Sequence, residues 1–216
     1  MYRMIPLALL FLLACDRRAA APDAQAQAPA PVAARHTVAF LGDSLTAGLG
    51  LPEARAYPAL IQKRLAAEGR SWKVLNAGVS GDTTAGGLAR LDWLYKQKVD
   101  VLVVALGAND GLRGLPLKDT EANLRAILRR GRTEGSKVVL VGMQMPENLG
   151  PEYRGDFAAL YPRLAKAEGV PFIPFLLEGV ALDPALNQAD GIHPNEAGAR
   201  KVAETVWKGI EPLLKD

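Results

Sequence analysis

The chain has 216 residues, 49% of them hydrophobic and 23% charged, which is ordinary for a globular protein and enough for one domain with a substantial core. A formal net charge of +3, without a basic stripe interleaved with aromatic residues, argues against a nucleic-acid partner. One cysteine and two widely separated histidines argue against a disulfide framework and against a metal site, and we expect no cofactor.

The first 15 residues have the pattern of a bacterial export signal. Arg3 precedes an apolar stretch, Met4 to Leu13, that is too short to span a bilayer as a mature helix. The stretch ends in Leu12-Leu13-Ala14-Cys15, which resembles a lipobox, the motif whose cysteine is lipidated and becomes the first residue of a lipoprotein. Because Cys15 is the only cysteine, we favour lipidation over an ordinary signal peptide. We therefore expect an exported protein anchored to a membrane on its periplasmic side.

Residues 16–35 are rich in alanine, proline and glutamine. They show no apolar periodicity, so burial cannot offset the entropy of ordering them, and we predict a partly extended tether. The predicted organisation is a signal peptide over 1–15, a tether over 16–35 and one folded domain over 36–216.

In the folded domain, short apolar runs alternate with amphipathic stretches. The run Val99–Ala105 is nearly all apolar, as expected of a central parallel strand that is covered on both faces. This alternation predicts an α/β fold with a five-stranded parallel sheet between two layers of helices. The predicted strands are Thr37–Leu41, Trp72–Asn76, Val99–Ala105, Lys137–Gly142 and Val170–Phe172, and the predicted helices are Tyr57–Glu68, Thr83–Lys96, Leu117–Glu134, Tyr153–Glu168 and Glu196–Leu214.

Polar residues of chemical interest follow the predicted strands. Ser44 follows the first strand, Gly81 the second and Asn109 the third, whereas Asp190 and His193 precede the last helix. Because the carboxyl ends of parallel strands meet at one edge of a sheet, these residues are expected to converge there.

A serine, an acid and a histidine in this arrangement indicate nucleophilic acyl chemistry. A serine hydroxyl is a weak nucleophile and needs a base, for which imidazole is suited, and a carboxylate to hold the imidazole. The competing structural interpretations are a helix-capping role for Ser44, a turn-forming role for Asp190 and a surface position for His193. The other histidine, His36, lies at the edge of the tether and is a poorer candidate for the base.

Four ordered blocks carry a more specific signal: Gly42-Asp43-Ser44-Leu45, Gly81, Gly107-Ala108-Asn109-Asp110, and Asp190 with His193. Over roughly residues 37–214 the chain resembles the SGNH (GDSL-type) hydrolases. Among these it is most similar to bacterial multifunctional acyl-CoA thioesterase/lysophospholipases and arylesterases. The resemblance implies a flavodoxin-like three-layer α/β/α sandwich and a serine esterase or thioesterase that acts through an acyl-enzyme.

The resemblance also implies roles for single residues. Ser44, His193 and Asp190 would form the catalytic triad, and the backbone N–H groups of Ser44 and Gly81 with the side chain of Asn109 would form the oxyanion hole. Asp43 and Asp110 are expected to be structural. Leu112, Leu115 and Met145 would line the acyl site.

The expected substrates are aryl esters, short- to medium-chain acyl esters, acyl thioesters and lysophospholipids, and the expected state is a monomer. Two alternatives stay open: a carbohydrate deacetylase on the same fold, and a catalytically inactive, lipid-anchored binding protein.

Overall fold

The computed structural model describes residues 34–215. The predictions of a signal peptide, a lipidated Cys15 and most of the tether therefore concern residues outside the described part. Within residues 34–215, no helix is long and apolar enough to cross a membrane.

Five parallel strands form one sheet in the order β2-β1-β3-β4-β5. This is the strand order of flavodoxin-like folds, and it confirms the predicted fold class. The chain reverses direction across the sheet between β1 and β3, so the loops after these two strands diverge and leave a crevice. The strands are β1 (His36–Gly42), β2 (Trp72–Gly78), β3 (Val101–Ala105), β4 (Lys137–Val141) and β5 (Phe172–Ile173).

Helices cover the sheet. Two groups of helices pack together. In one group α2 contacts α8, and in the other α6 contacts both α3 and α7. The α-helices are α1 (Ser44–Ala47), α2 (Tyr57–Ala67), α3 (Thr84–Ala89), α4 (Leu91–Leu94), α5 (Ala108–Leu112), α6 (Leu117–Thr133), α7 (Pro151–Glu168) and α8 (Glu196–Ile210).

The central strand carries the densest part of the core. All five residues of β3 are fully buried, as its unbroken apolar run predicts. On β1, Phe40 is fully buried and meets Tyr57 of α2 edge to face, with ring centroids 5.5 Å apart. The hydroxyl group of Tyr57 lies 3.0 Å from the hydroxyl of buried Thr46, so a polar pair continues the core toward the loop after β1.

Element boundaries differ from the prediction in several places. The predicted helix Thr83–Lys96 is two short helices, because Arg90 leaves helical geometry at φ −100° and ψ 8°. The last helix ends at Ile210 and is followed by a 3-10 turn. Two short helices, α1 and α5, were not predicted, and these contain Ser44 and Asn109 respectively.

An ionic cluster joins α6 to the end of α7. The carboxylate of Glu168 is 3% exposed and accepts hydrogen bonds from Arg125, Arg129 and Arg132. Arg132 also donates to the main-chain carbonyl of Glu168. The hydrogen bond from Arg129, opposed by desolvation and reinforced by the other two arginines, lowers the pKa of Glu168 from 4.5 to about 2.

We expect Glu168→Gln to destabilise the domain at pH 7 by up to about 3 kcal/mol. A carboxyl group whose pKa is lowered by folding stabilises the fold above its unfolded pKa and loses that contribution as the pH falls from 4.5 toward 2. Denaturant unfolding should therefore show a difference in the free energy of unfolding between Glu168→Gln and wild type that is smaller at pH 3 than at pH 7. Glu134→Gln, which removes a more exposed i,i+4 pair with Arg130, is the control and should cost under about 0.5 kcal/mol. If the difference in the free energy of unfolding were the same at both pH values, this account would be wrong.

Candidate active site

The candidate site lies at the carboxyl edge of the sheet, where the loops after β1 and β3 diverge. Ser44 is the first residue of α1, immediately after β1 and the capping residue Asp43. A Cβ atom at Gly42 would lie 2.0 Å from Oγ1 of Thr46 and 3.0 Å from the carbonyl oxygen of Ala105, so glycine is required for this tight turn. The loop before α8 brings His193 to the same place.

The predicted triad residues are joined by hydrogen bonds. Nε2 of His193 lies 2.9 Å from Oγ of Ser44, and Nδ1 of the same ring lies 2.7 Å from Oδ2 of Asp190. The two ring nitrogens therefore face a hydroxyl and a carboxylate, the arrangement needed for a base that takes a proton from serine.

Asp190 is organised by its own loop. Its Oδ1 atom accepts hydrogen bonds from the backbone N–H groups of Ile192 and His193, each at 3.0 Å. These backbone bonds, followed by the bond to the His193 side chain, lower the pKa of Asp190 from 3.8 to about 2. The carboxylate thus stays ionised at neutral pH and can both form the turn and hold the imidazole, so the two interpretations from the sequence are compatible.

Asp43 has a different environment. Its side chain is almost fully buried, and Oδ1 accepts a hydrogen bond of 3.0 Å from the N–H of Leu45. Burial raises the pKa of this carboxyl group from 3.8 to about 6, against the lowering effects of the Leu45 N–H and the nearby His193. The capping bond agrees with the structural role expected for Asp43.

Asn109 connects the loops of the site. Its Nδ2 atom lies 2.9 Å from the carbonyl oxygen of Asp82 and 3.3 Å from Oδ2 of Asp43. Asp43 is the neighbour of Ser44 in sequence, and Asp82 is the neighbour of Gly81. The Asn109 amide therefore contacts the sequence neighbours of both other predicted oxyanion donors, and both of these contacts use it as a donor to the protein itself.

Gly81 adopts a left-handed backbone conformation with φ of +79°. A Cβ atom there would meet only Nη2 of Arg113, at 3.6 Å, so backbone conformation rather than space favours glycine. Its carbonyl group accepts a hydrogen bond of 2.7 Å from Arg113. This bond ties the loop after β2 to the segment after α5.

Two further contacts brace the loops and were not expected from the sequence. Arg90 donates to Oδ2 of Asp82 at 2.7 Å and to the carbonyl of Gly42 at 3.0 Å. Buried Asp110 accepts hydrogen bonds from the N–H group of Thr84 at 2.9 Å and from its hydroxyl at 2.5 Å. Since these partners belong to different segments of the chain, no helical or strand spacing signals them. Asp110 therefore has the structural role expected for it.

The predicted acyl-site residues are placed differently from one another. Leu112 and Leu115 are exposed, at 45% and 37%. Met145 is buried, and its sulfur atom lies where a Cβ atom of Gly111 would clash. Met145 thus packs against Gly111 of α5. A change at Met145 would affect a bound substrate through the position of Gly111.

The cavity beside the triad is small. The partly open pocket next to Ser44 and His193 has a volume of about 10 Å³, which is room for about one water molecule. Its apolar lining comes from Leu45, Leu49 and Leu177, among others. Among residues 34–215, no cluster of three or more histidine, cysteine, aspartate or glutamate side chains could hold a metal ion.

Comparison with known proteins identifies the family. The model of the GDSL-like lipase/acylhydrolase family matches residues 40–201. The chain belongs to this family. Esterase TesA of Pseudomonas aeruginosa is 45% identical over 183 residues, which cover 84% of this chain and 91% of that protein. Thioesterase 1/protease 1/lysophospholipase L1 of Escherichia coli strain K12 is 39% identical over 209 residues, which cover 96% and 93%.

Solved structures agree with this membership. The crystal structure of TesA superposes with a TM-score of 0.80 at 45% identity and covers 83% of this chain and 100% of its own. The psychrotrophic esterase EstA from Pseudoalteromonas sp., solved in a form inhibited by monoethylphosphonate, gives a TM-score of 0.79 at 30% identity, with coverages of 84% and 100%. The resemblance stated from the sequence is confirmed at the level of family and fold.

We expect Asn109→Ala to lower kcat by about 10²–10³ with little change in KM, because an oxyanion donor acts mainly in the transition state. Asn123→Ala is a matched control. It removes an amide that donates to Oγ1 of Thr84 at 3.2 Å. In steady-state kinetics with p-nitrophenyl acetate, the kcat of Asn123→Ala should stay near that of wild type. Wild-type turnover in Asn109→Ala would remove this residue from the oxyanion hole.

Proposed function

We propose that the protein is a serine hydrolase of acyl esters and thioesters, with Ser44, His193 and Asp190 as its triad. The observation that supports this most directly is the continuous hydrogen-bonded chain from Oγ of Ser44 through the imidazole to the Asp190 carboxylate. A serine that only capped a helix would not need a histidine at 2.9 Å.

In the proposed reaction, Oγ of Ser44 attacks the acyl carbonyl carbon while Nε2 of His193 takes its proton. The carbonyl oxygen becomes negative and receives hydrogen bonds from the N–H groups of Ser44 and Gly81 and from the amide of Asn109. To donate, Asn109 exchanges its 3.3 Å contact with Asp43 for one with the oxyanion. The imidazolium then protonates the leaving group, and the reverse sequence with water releases the acid.

The proposed substrates are small molecules: aryl esters, short- to medium-chain acyl esters, acyl thioesters and lysophospholipids. Relatives support this breadth, since they are named esterase, thioesterase, lysophospholipase and, in Vibrio mimicus, arylesterase. The Vibrio protein is 40% identical over 167 residues. We propose that the enzyme acts as a monomer without a cofactor.

The acyl chain is proposed to lie along the segment 111–115. The exposed side chains of Leu112 and Leu115 do not belong to the core, and Gly114 has a left-handed conformation with φ of +62°. Burying these leucines on a substrate chain removes apolar area from water. A carbohydrate deacetylase would be expected to have a polar crevice instead, so the leucines favour acyl substrates.

We propose export and lipid anchoring from the sequence of residues 1–15. The proposal rests on the apolar stretch and its Leu12-Leu13-Ala14-Cys15 ending. Two or more acyl chains on Cys15 would hold the enzyme stably at a membrane, on the periplasmic side. Mass spectrometry of the mature protein tests this, and an unmodified Cys15 would refute it.

We expect Ser44→Ala and His193→Ala to lower kcat by several orders of magnitude while the domain stays folded, because the triad acts as a unit. A fluorophosphonate probe should label wild type at Ser44 and fail on Ser44→Ala, which distinguishes the enzyme from an inactive binding protein. His36→Ala is the control for a histidine outside the site. Turnover near wild type in folded Ser44→Ala would exclude the mechanism.

We expect Leu112→Ala to reduce kcat/KM progressively more from acetyl to octanoyl p-nitrophenyl esters. The reason is that the lost contact area grows with the acyl chain, at about 25 cal/mol per Å². The matched control is Trp93→Ala, which alters an exposed apolar side chain on α4, outside the loops of the candidate site. A ratio to wild type that stays uniform across the series would show that Leu112 does not contact the acyl chain.

A further inference from the structure

Large apolar side chains are exposed at one edge of the domain. Within residues 34–215, seven large hydrophobic side chains are exposed. Five of them lie in loops at the carboxyl edge of the sheet, and Leu112 is the last residue of the short helix α5 at the same edge. The seventh, Trp93 on α4, lies where the chain returns to the opposite edge before β3. We call the six residues the apolar rim: Leu49, Val79, Leu112, Leu115, Leu182 and Ile192.

Hydrogen bonds link the loops of the apolar rim around Ser44. Gln188 donates to the carbonyl of Leu49 at 2.7 Å, which joins the loop after α1 to the loop before α8. The N–H of Val79 donates to the carbonyl of Gly42 at 3.0 Å. Together with the contact between Arg113 and Gly81, these bonds place the rim residues on loops that are fixed to one another and to the candidate nucleophile.

Leu182 is the least expected member of the rim. Its side chain is 79% exposed and its backbone has φ of +65°, the only non-glycine residue with positive φ among residues 34–215. Both features are unfavourable for leucine, since the left-handed region crowds its Cβ atom and exposure leaves its apolar surface in water. Neither is offset by packing, because the side chain is mostly in solvent. Such strain is typical of functional positions.

The surrounding loop holds Leu182 in this conformation. The buried amide of Asn187 donates to the carbonyl groups of Val180 at 2.6 Å and Asp183 at 2.9 Å, one on each side of Leu182. The side chain of Asp183 accepts a further bond of 2.9 Å from the N–H of Ala185. The leucine is therefore presented to solvent by a fixed support.

We propose that the apolar rim is a docking surface for a lipid–water interface, onto which the enzyme settles with its active site facing the lipid. The inference rests on the proposed function, because the rim surrounds a site for acyl chains. Exposed apolar side chains gathered on neighbouring, hydrogen-bonded loops are typical of surfaces that bind proteins or membranes. A protein seated on the rim would cover Ser44, whereas a lipid surface would deliver acyl substrates to it.

The length of chain outside the described domain fits this orientation. β1 begins at His36, at the amino edge of the sheet and opposite to the apolar rim. Residues 16–33, which lie outside the described part, number 18, and a chain of that length can extend to about 55 Å. A domain of about 180 residues measures about 40 Å across. An anchor at Cys15 thus permits the rim to turn toward the same membrane.

Leu182→Gly in the full chain is the decisive variant. Glycine relieves the positive φ, so the domain should be at least as stable as wild type, while the exposed leucine is lost. We expect turnover of p-nitrophenyl laurate dissolved in phosphatidylcholine vesicles to fall about fivefold. Turnover of soluble p-nitrophenyl acetate should not change. Leu182→Asn should have the same effect, because asparagine also tolerates a positive φ. Trp93→Ser is the control and should change neither rate.

Orientation is measured independently by quenching. In Leu182→Trp, we expect the emission added at position 182 to be quenched by phosphatidylcholine vesicles with brominated acyl chains. The native Trp93 emission, identified by its loss in Trp93→Phe, should be quenched much less. Equal quenching at both positions, or vesicle turnover that is unchanged in Leu182→Gly, would overturn the docking proposal. Absence of acetate hydrolysis in wild type would instead overturn the proposed function.

Discussion

All strands of a parallel sheet have their carboxyl ends at the same edge, and the rest of this molecule depends on that constraint. The order β2-β1-β3-β4-β5 sends the chain outward in both directions from β1 and β3, so the two following loops separate. Ser44 follows β1 and Asn109 follows β3. The two residues are 65 positions apart in the chain, and only the sheet places their loops on the two sides of one crevice.

Two carboxyl groups at this edge show how burial and hydrogen bonding set charge. Asp190 is partly exposed, receives two backbone N–H groups and has its pKa lowered to about 2. Asp43 is buried and has its pKa raised to about 6. Only Asp190 reaches the imidazole directly, at Nδ1 of His193. The carboxyl group with the lowered pKa is therefore the one that supports the base, and the buried group caps α1 and contacts Asn109.

The apolar rim and the triad depend on the same loops. The segment that carries Asp190 and His193 also exposes Ile192 between them, and it follows the loop that presents Leu182. Loops are free to carry exposed apolar groups because the sheet and its helices already supply the core. In this scaffold the sheet and its helices supply the packed core, and the loops at the carboxyl edge carry the proposed recognition surface.

The sequence by itself determined the α/β class, the parallel sheet and the family, because apolar runs and ordered motifs are local signals. It also indicated Ser44, Asp190 and His193 as a candidate set, whose catalytic roles stay predictions. Only the tertiary structure decided that Met145 is buried, that Asn109 faces both Asp43 and Asp82, and that Arg90 braces two loops. It also decided the conformation of Leu182. Contacts between residues far apart in the chain leave no periodicity in a sequence, so packing alone could reveal them.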